Sequence, residues 1–348
     1  MSALGNVGTG NLTTVLLKEE PSLAGTITTA TEVWLSKNRA FFQRLPNIVD
    51  SDFANAVSDG ISKEVFHTTA GLLVAQLDTT TIGWFLKWFV GTLTSTQQGV
   101  TSEYKHTSQP GITTLKSCKV FMNIGGMSVA LNDDFAGQAI DRLAIIANIL
   151  ETVKMESVWV GIKDQAGSGT GTAAYTAENQ TISFRDDSGN AAVKFYIGTV
   201  GATTIAAMAN WTDPYYMRFD MARNRKVDNF ISDGTGDSAG ITDGIFRATI
   251  NLITTLTTNQ KYSDFRSGTE KSFGVRLDTG VAIPSGNGSN YKLDIIFPRV
   301  TITNYDLNVD GINTILPAVN LKPQKDPTAG YEVSFELFNN TTAYANAT

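Results

Sequence analysis

A few groups of residues have the types that chemistry requires, and their spacing decides each case. Gly167-Ser-Gly-Thr-Gly171 has the glycine density of a phosphate-cradling loop. Such a loop also needs a Gly-Lys-Ser/Thr continuation and a helix opening behind it. Thr172-Ala-Ala-Tyr-Thr176 supplies neither, so the segment reads as a linker. Asp233-Gly-Thr-Gly-Asp-Ser-Ala-Gly240 sets two carboxylates among glycines, as a calcium loop does. It lacks regular ligand spacing and a closing bidentate Glu, and a surface loop is expected. Asp133-Asp134 and Asp186-Asp187 are adjacent pairs, which point opposite ways on a strand and suit turns better than acid–base work. Arg218, Arg223, Arg225 and Lys226 are interspersed with Met, Phe and Ala at helix-like spacing. They read as a helix face, solvated or meeting another subunit.

His67, His106 and the single Cys118 build neither a metal cluster nor an internal disulfide. Cys118 sits in the alternating run Ser117–Asn123, where a small buried side chain is expected rather than a reactive thiol. The sequence has no Gly-x-Ser-x-Gly elbow, His-Glu-x-x-His or Cys-x-x-Cys, so hydrolase and zinc readings have no foothold. No cofactor or metal is expected, and an enzyme is the least favoured class.

The elements that would position any site are mostly strands. Phe273, Val275 and Leu277 alternate with Ser272, Arg276 and Asp278, and Tyr331–Leu337 alternates likewise with Glu332, Ser334 and Glu336 on its polar face. Cys118, Val120, Met122 and Ile124 form a third stripe, and Val193, Phe195 and Ile197 a fourth. Period two is the signature of half-buried antiparallel strands, and Gly, Pro, Asn and Asp clusters at 187–190, 284–288 and 326–330 separate the runs. A short helix is expected over Thr81–Gly91, with Trp84, Phe85, Trp88 and Phe89 anchoring it in the core. Further helices are expected over Glu32–Leu45, stopped at Pro46, and over Thr203–Trp211.

The chain has 348 residues, 42% hydrophobic and 17% charged, with a net charge of −6. It can bury a core, and its mild acidity argues against tight binding of phosphate backbones. The N-terminus has neither a basic start nor an apolar core, so no signal peptide is expected, and no apolar stretch approaches membrane-spanning length. Residues 1–60 read as an N-terminal arm and helix, 61–164 as a first β domain, 165–175 as a linker, and 176–348 as a second β domain with insertions. Each half closes with an apolar segment, a turn and a last strand, Ile140–Ala147 before Val153–Ile162 and Ile312–Val319 before Tyr331–Phe338. A duplicated β domain is the reading.

Several segments taken in order resemble the major tail tube proteins of long-tailed (siphovirus-type) bacteriophages. They are Gly83–Gly91, Tyr104-Lys-His-Thr107, Ile112–Ser117, Gly137–Leu143, Leu293–Ile302 and Tyr331–Asn339. The resemblance implies a mainly β fold of two sandwich or barrel domains with a few short flanking helices. It further implies rings stacked into a hollow tube for genome delivery, in the virion tail, after assembly in the host cytoplasm. Implied partners are other copies, tape measure, tail terminator and tail tip proteins, and DNA passing without specific binding; no membrane is implied. Glu332 and Glu336 are candidates to line a negative lumen, and Thr96, Gln97, Gln98 and Gly99 to lie in a ring-stacking loop within Ser95–Ser102. The N-terminal arm up to Glu20 and Ser232–Gly240 are further candidate stacking segments. Because family rings with one tube domain per chain are sixfold, a doubled chain is expected to form threefold rings with pseudo-sixfold symmetry; a hexameric ring is the alternative. The competing functions are another virion β-sandwich protein (tail terminator, baseplate or capsid decoration) and a carbohydrate-binding module built on Trp34, Trp84, Trp88, Trp159 and Trp211.

Overall fold

A computed structural model describes residues 13–24, 33–34, 37–50, 62–111, 115–124, 131–149, 151–166, 182–183, 192–231, 238–257, 259–307 and 316–344. The first half holds β1 (Thr13–Glu19), β2 (Val33–Trp34), β3 (Lys37–Asp50), β4 (Ser62–Gln76), α1 (Ile82–Val90), β5 (Thr94–Gln97), β6 (Tyr104–Ser108), β7 (Cys118–Ile124), β8 (Leu131–Asn148), β9 (Lys154–Gly161) and β10 (Lys163–Ala166). The second holds β11 (Val193–Thr199), β12 (Ala209–Trp211), β13 (Pro214–Ala222), β14 (Lys226–Ile231), β15 (Ser238–Thr242), β16 (Arg247–Thr254), α2 (Gln260–Ser267), β17 (Lys271–Ala282), β18 (Asn290–Asp306), β19 (Ala318–Pro323) and β20 (Ser334–Asn339). The fold is mainly β, as the alternation requires.

Apart from β14 and β15, which pair with each other, the strands are organised into three sheets. An eight-stranded antiparallel sheet runs β3-β4-β9-β8-β13-β16-β19-β18. A second runs β12-β11-β17-β18-β20-β6-β5. A third runs β2-β1-β7-β8-β10. The two longest strands each serve two sheets. Residues 131–138 of β8 belong to the third sheet and 139–148 to the first, and the change falls at Gly137, whose φ of 64° favours glycine. In β18 the change falls at Pro298, which lacks the N–H a continuous ladder would need.

The first two sheets pack face to face. Phe219 of β13 meets Phe297 of β18 with ring centroids 4.9 Å apart, and Phe335 of β20 at 6.3 Å. The alternating stripes supply this core: Phe273, Val275, Leu277, Phe335 and Leu337 are all fully buried. Helix α1 packs on the same buried face, its Phe85 and Trp88 rings 6.0 and 6.2 Å from Trp159. Cys118 is buried, and burial pushes its thiol well above the usual range.

The halves repeat one topology inside the first sheet. Each has an antiparallel pair (β3–β4; β13–β16, with β14 and β15 inserted), a short helix ending on a left-handed glycine (α1 at Gly91; α2 at Gly268), a long shared strand (β8; β18) and a strand that returns between the two (β9; β19). The spatial order is the same in both, and each long strand carries a bulge against its return strand, between Ile140 and Arg142 and between Ile302 and Asn304. The halves are nonetheless sewn together, β13 to β8 and β20 to β6. The boundary at 165–175 therefore does not divide the sheets, although most of its residues lie outside those described.

Three expectations are corrected. Within Glu32–Leu45 the described residues are strand, not helix: β3 pairs with β4 from Lys37 to Asp50. Gly71 makes this possible, because Phe42 lies across it and a Cβ there would sit 2.2 Å from the ring. Between Thr203 and Trp211 only a 3-10 turn at Ile205–Ala207 forms before β12 begins; Ile205 and Met208 pack on Ile296 instead of continuing a helix. Arg218 lies on strand β13 and Lys226 on β14, with Arg223 and Arg225 buried between them.

Candidate assembly interface

The first sheet ends in two edges with no strand partner among the described residues. One is β3, which pairs only with β4. The other is the 304–306 end of β18, which pairs only with β19. Unpaired N–H and C=O groups on such edges are templates for strand addition. Phe42 holds β3 in place from inside, its ring 5.6 Å from Phe135 and 6.3 Å from Trp159. Pro46 marks which of its backbone groups face away from β4, since proline in a sheet is confined to positions whose missing N–H would point off the edge.

The seam between the halves, β8 against β13, is paired over seven residues from Tyr216↔Asn148 to Ala222↔Arg142. The chain leaving β13 then caps α1. Arg223 donates to the carbonyls of Phe89 (3.3 Å) and Val90 (2.8 Å), and Arg225 to those of Phe89 (3.3 Å) and Ile140 (2.6 Å). Asp243 accepts from Arg225 Nε at 2.9 Å. Guanidinium donors at a helix C-terminus satisfy orphan carbonyls and complement the dipole. Burial draws both guanidinium pKa values down, against the opposing pull of Asp243.

The outer face of the first sheet is accessible. Next to β3 it is apolar: Phe41 is 47% exposed, Leu45 40% and Val158 36%. Phe41, Leu72, Val158 and Arg142 lie opposite one another across four strands. Farther along, Arg218 bridges Glu156 and Asp220 at 2.9 Å each, and Arg142, Arg247 and Lys322 are exposed. Among the described residues this face is not acidic.

The remaining expected residues lie elsewhere. Thr96 and Gln97 are in β5, and Gln98 and Gly99 (φ 68°) turn the hairpin toward β6. The hairpin is tied to the turn between β17 and β18: Ser102 N donates to Ser285 O at 3.3 Å, and the buried Glu103 accepts from Asn287 N at 2.8 Å. Its tip exposes Val100 completely. Glu336 is on β20 in the second sheet, half-buried and 2.7 Å from Lys105. Glu332 precedes that strand, and burial raises its carboxyl, offset by Lys325 and Lys322. Phe85, Trp88 and Phe89 are buried and Trp84 half-buried, with Tyr344 edge-on at 5.4 Å. Trp159 and Trp211 are buried too, and the side chain of Trp34 lies outside the described residues.

Of the other stacking candidates, 1–12 and 232–237 lie outside the described residues, whereas Thr13–Glu19 is strand β1, paired along β7. The loop at 167–171 is likewise outside them. Among the described residues no group of His, Cys, Asp and Glu could hold a metal ion, and no helix is long and apolar enough to cross a membrane. The signal that sequence reasoning missed was the second appearance of a long strand preceded by a short helix that ends on a glycine. Neither a comparison with protein-family models nor a search among curated proteins yields a match to this chain.

Proposed function

We propose that this chain is the structural subunit of a phage tail tube, closing into rings that stack into a conduit for DNA. One observation carries the reading: an eight-stranded sheet, four strands from each half in the same order, is open at both edges among the described residues. A head-to-tail contact between those edges closes into a ring when the rotation fits. Strands spaced about 4.8 Å apart and tilted about 40° give a 24-stranded barrel roughly 48 Å across between backbones. Side chains project about 5 Å from a sheet, which leaves room for duplex DNA. Two copies would give a barrel of roughly 32 Å, which side chains reduce to about 22 Å with almost no clearance around a duplex, and six would give roughly 96 Å. Three copies fit the cargo.

In this arrangement the accessible face of the first sheet lines the lumen, and Glu332 and Glu336 face away from it. The lumen charge then rests on Arg142, Arg218, Arg247, Lys322, Glu156, Asp220 and Asp306 and is not the acidic lining the sequence suggested. DNA would slide past cations already engaged by carboxylates, as Arg218 is. The buried state of Trp88, Trp159 and Trp211 disfavours the carbohydrate-binding alternative, which needs exposed aromatic platforms. Electron microscopy of the purified protein tests the proposal: tubes or stacked rings with three chains per ring are expected. A protein that stays monomeric at high concentration, alone and with other tail proteins, would refute it.

A further inference from the structure

The seam between the two halves is a template for the contact between two copies, an inference that rests on the ring-forming reading above. Long strand β8 maps onto β18 with a shift of 162 residues, which brings bulge onto bulge and the buried Leu143 onto the buried Tyr305. The registers of β4–β9 against β16–β19 and of β3–β4 against β13–β16 then fix the shift of β3 onto β13 at 177. That shift lays Phe42 on Phe219, both buried aromatic residues of the same core face. In the intrachain seam Arg142 stands opposite Ala222, and Ala144 opposite Asp220.

We infer that copies join head to tail by antiparallel pairing of the 304–306 end of β18 with β3 of the next copy, in the register Asn304↔Leu45 and Asp306↔Gln43. All four residues are exposed, and Gln43 and Leu45 lie on the face opposite to buried Phe42. Pro46 sets the parity: residues 44 and 46 turn their backbone groups off the edge, so 43 and 45 bond to β4. Toward the incoming strand, positions 43 and 45 are then non-hydrogen-bonded pairs, in which opposed Cα atoms come within about 4.5 Å. That spacing suits a disulfide.

The test mixes a Leu45→Cys chain with an Asn304→Cys chain under mild oxidation and reads a non-reducing gel. A covalent dimer is expected, and the Leu45→Cys/Asn304→Cys double variant should run to a covalent trimer and no farther. Arg142→Cys/Ala222→Cys, the equivalent pair inside one chain, is the positive control for linking geometry. Arg44→Cys with Asn304→Cys, on opposite faces, should give no link. The native Cys118 is buried and adds no background. Tubes or rings that form without a link at 45–304 or 43–306 overturn the seam and leave the tube reading standing. A chain that forms neither tubes nor rings overturns both. A ladder reaching six keeps the seam and overturns threefold closure.

Discussion

Arg44→Pro probes the open edge of β3 without touching its core contacts. Residue 44 has the same parity as Pro46 in a strand where Pro46 is already accommodated, so its N–H points away from β4 and no β3–β4 bond is lost. Opposite Tyr305 of a neighbouring copy, that N–H would donate one interchain hydrogen bond, worth about 1 kcal/mol net. Three such seams per ring make about 3 kcal/mol, or roughly a 100-fold drop in the ring association constant. The side-chain contacts of Arg44 are also lost, among them that with Asp164 at 3.6 Å; at 44% exposure such an ion pair contributes about 0–1 kcal/mol. His67 Nε2 stays 2.9 Å from Asp164. The monomer should therefore melt within a few degrees of the unmodified chain, while sedimentation velocity shows rings only at far higher concentration. Unchanged ring formation by a normally folded Arg44→Pro protein would show that β3 is not the contact edge.

Arg225→Met removes a buried guanidinium that holds two carbonyls and Asp243. A loss of about 3–5 kcal/mol is expected in urea titration, since a broken buried pair leaves its partner uncompensated; a loss under 1 kcal/mol would contradict the capping role. Trp159→Ala empties the centre of the α1 contact and should cost about 3–5 kcal/mol by the same measurement. Val100→Asp, at a fully exposed tip, should leave the melt unchanged yet shorten tubes in micrographs if the hairpin meets the next ring. Burial lowers the His106 pKa from 6.5, opposed by its bond to Asn339, which is 2.9 Å away. The unfolded chain then binds the proton more readily, so this contribution to stability is present above pH 6.5 and is lost as pH falls from there through the folded pKa. His106→Gln should flatten the stability profile in that window, and an unchanged slope would count against it.

Local pattern made much of the fold legible. The stripes at 118–124, 193–197, 273–277 and 333–337 alternate because a strand buries every second side chain. Cys118, Val120, Val193, Phe195, Phe273, Val275, Leu277, Val333, Phe335 and Leu337 are buried, whereas Met122 and Ile197 are only partly so and Ser272 and Ser334 of the polar faces are buried as well. The α1 segment was readable because only Lys87 interrupts its apolar surface. Where alternation was missing, reading failed. The stretch Lys37–Leu45 mixes Arg, Ala, Phe and Gln without a clean period of two, and it becomes a strand because β4 offers a partner and Gly71 offers space for Phe42. The arginines at 223 and 225 looked like a solvated helix face, because nothing local tells of a helix C-terminus arriving from 133 residues earlier in the chain, at Val90.

The sequence by itself determined most of the strand faces and the buried helix, since each depends on neighbours within a few residues. Only the tertiary structure decided which strands pair, that β8 and β18 each serve two sheets, and which edges stay open. Those choices are made by hydrogen bonds between segments far apart along the chain, and a single backbone ladder accepts almost any strand until packing excludes the rest.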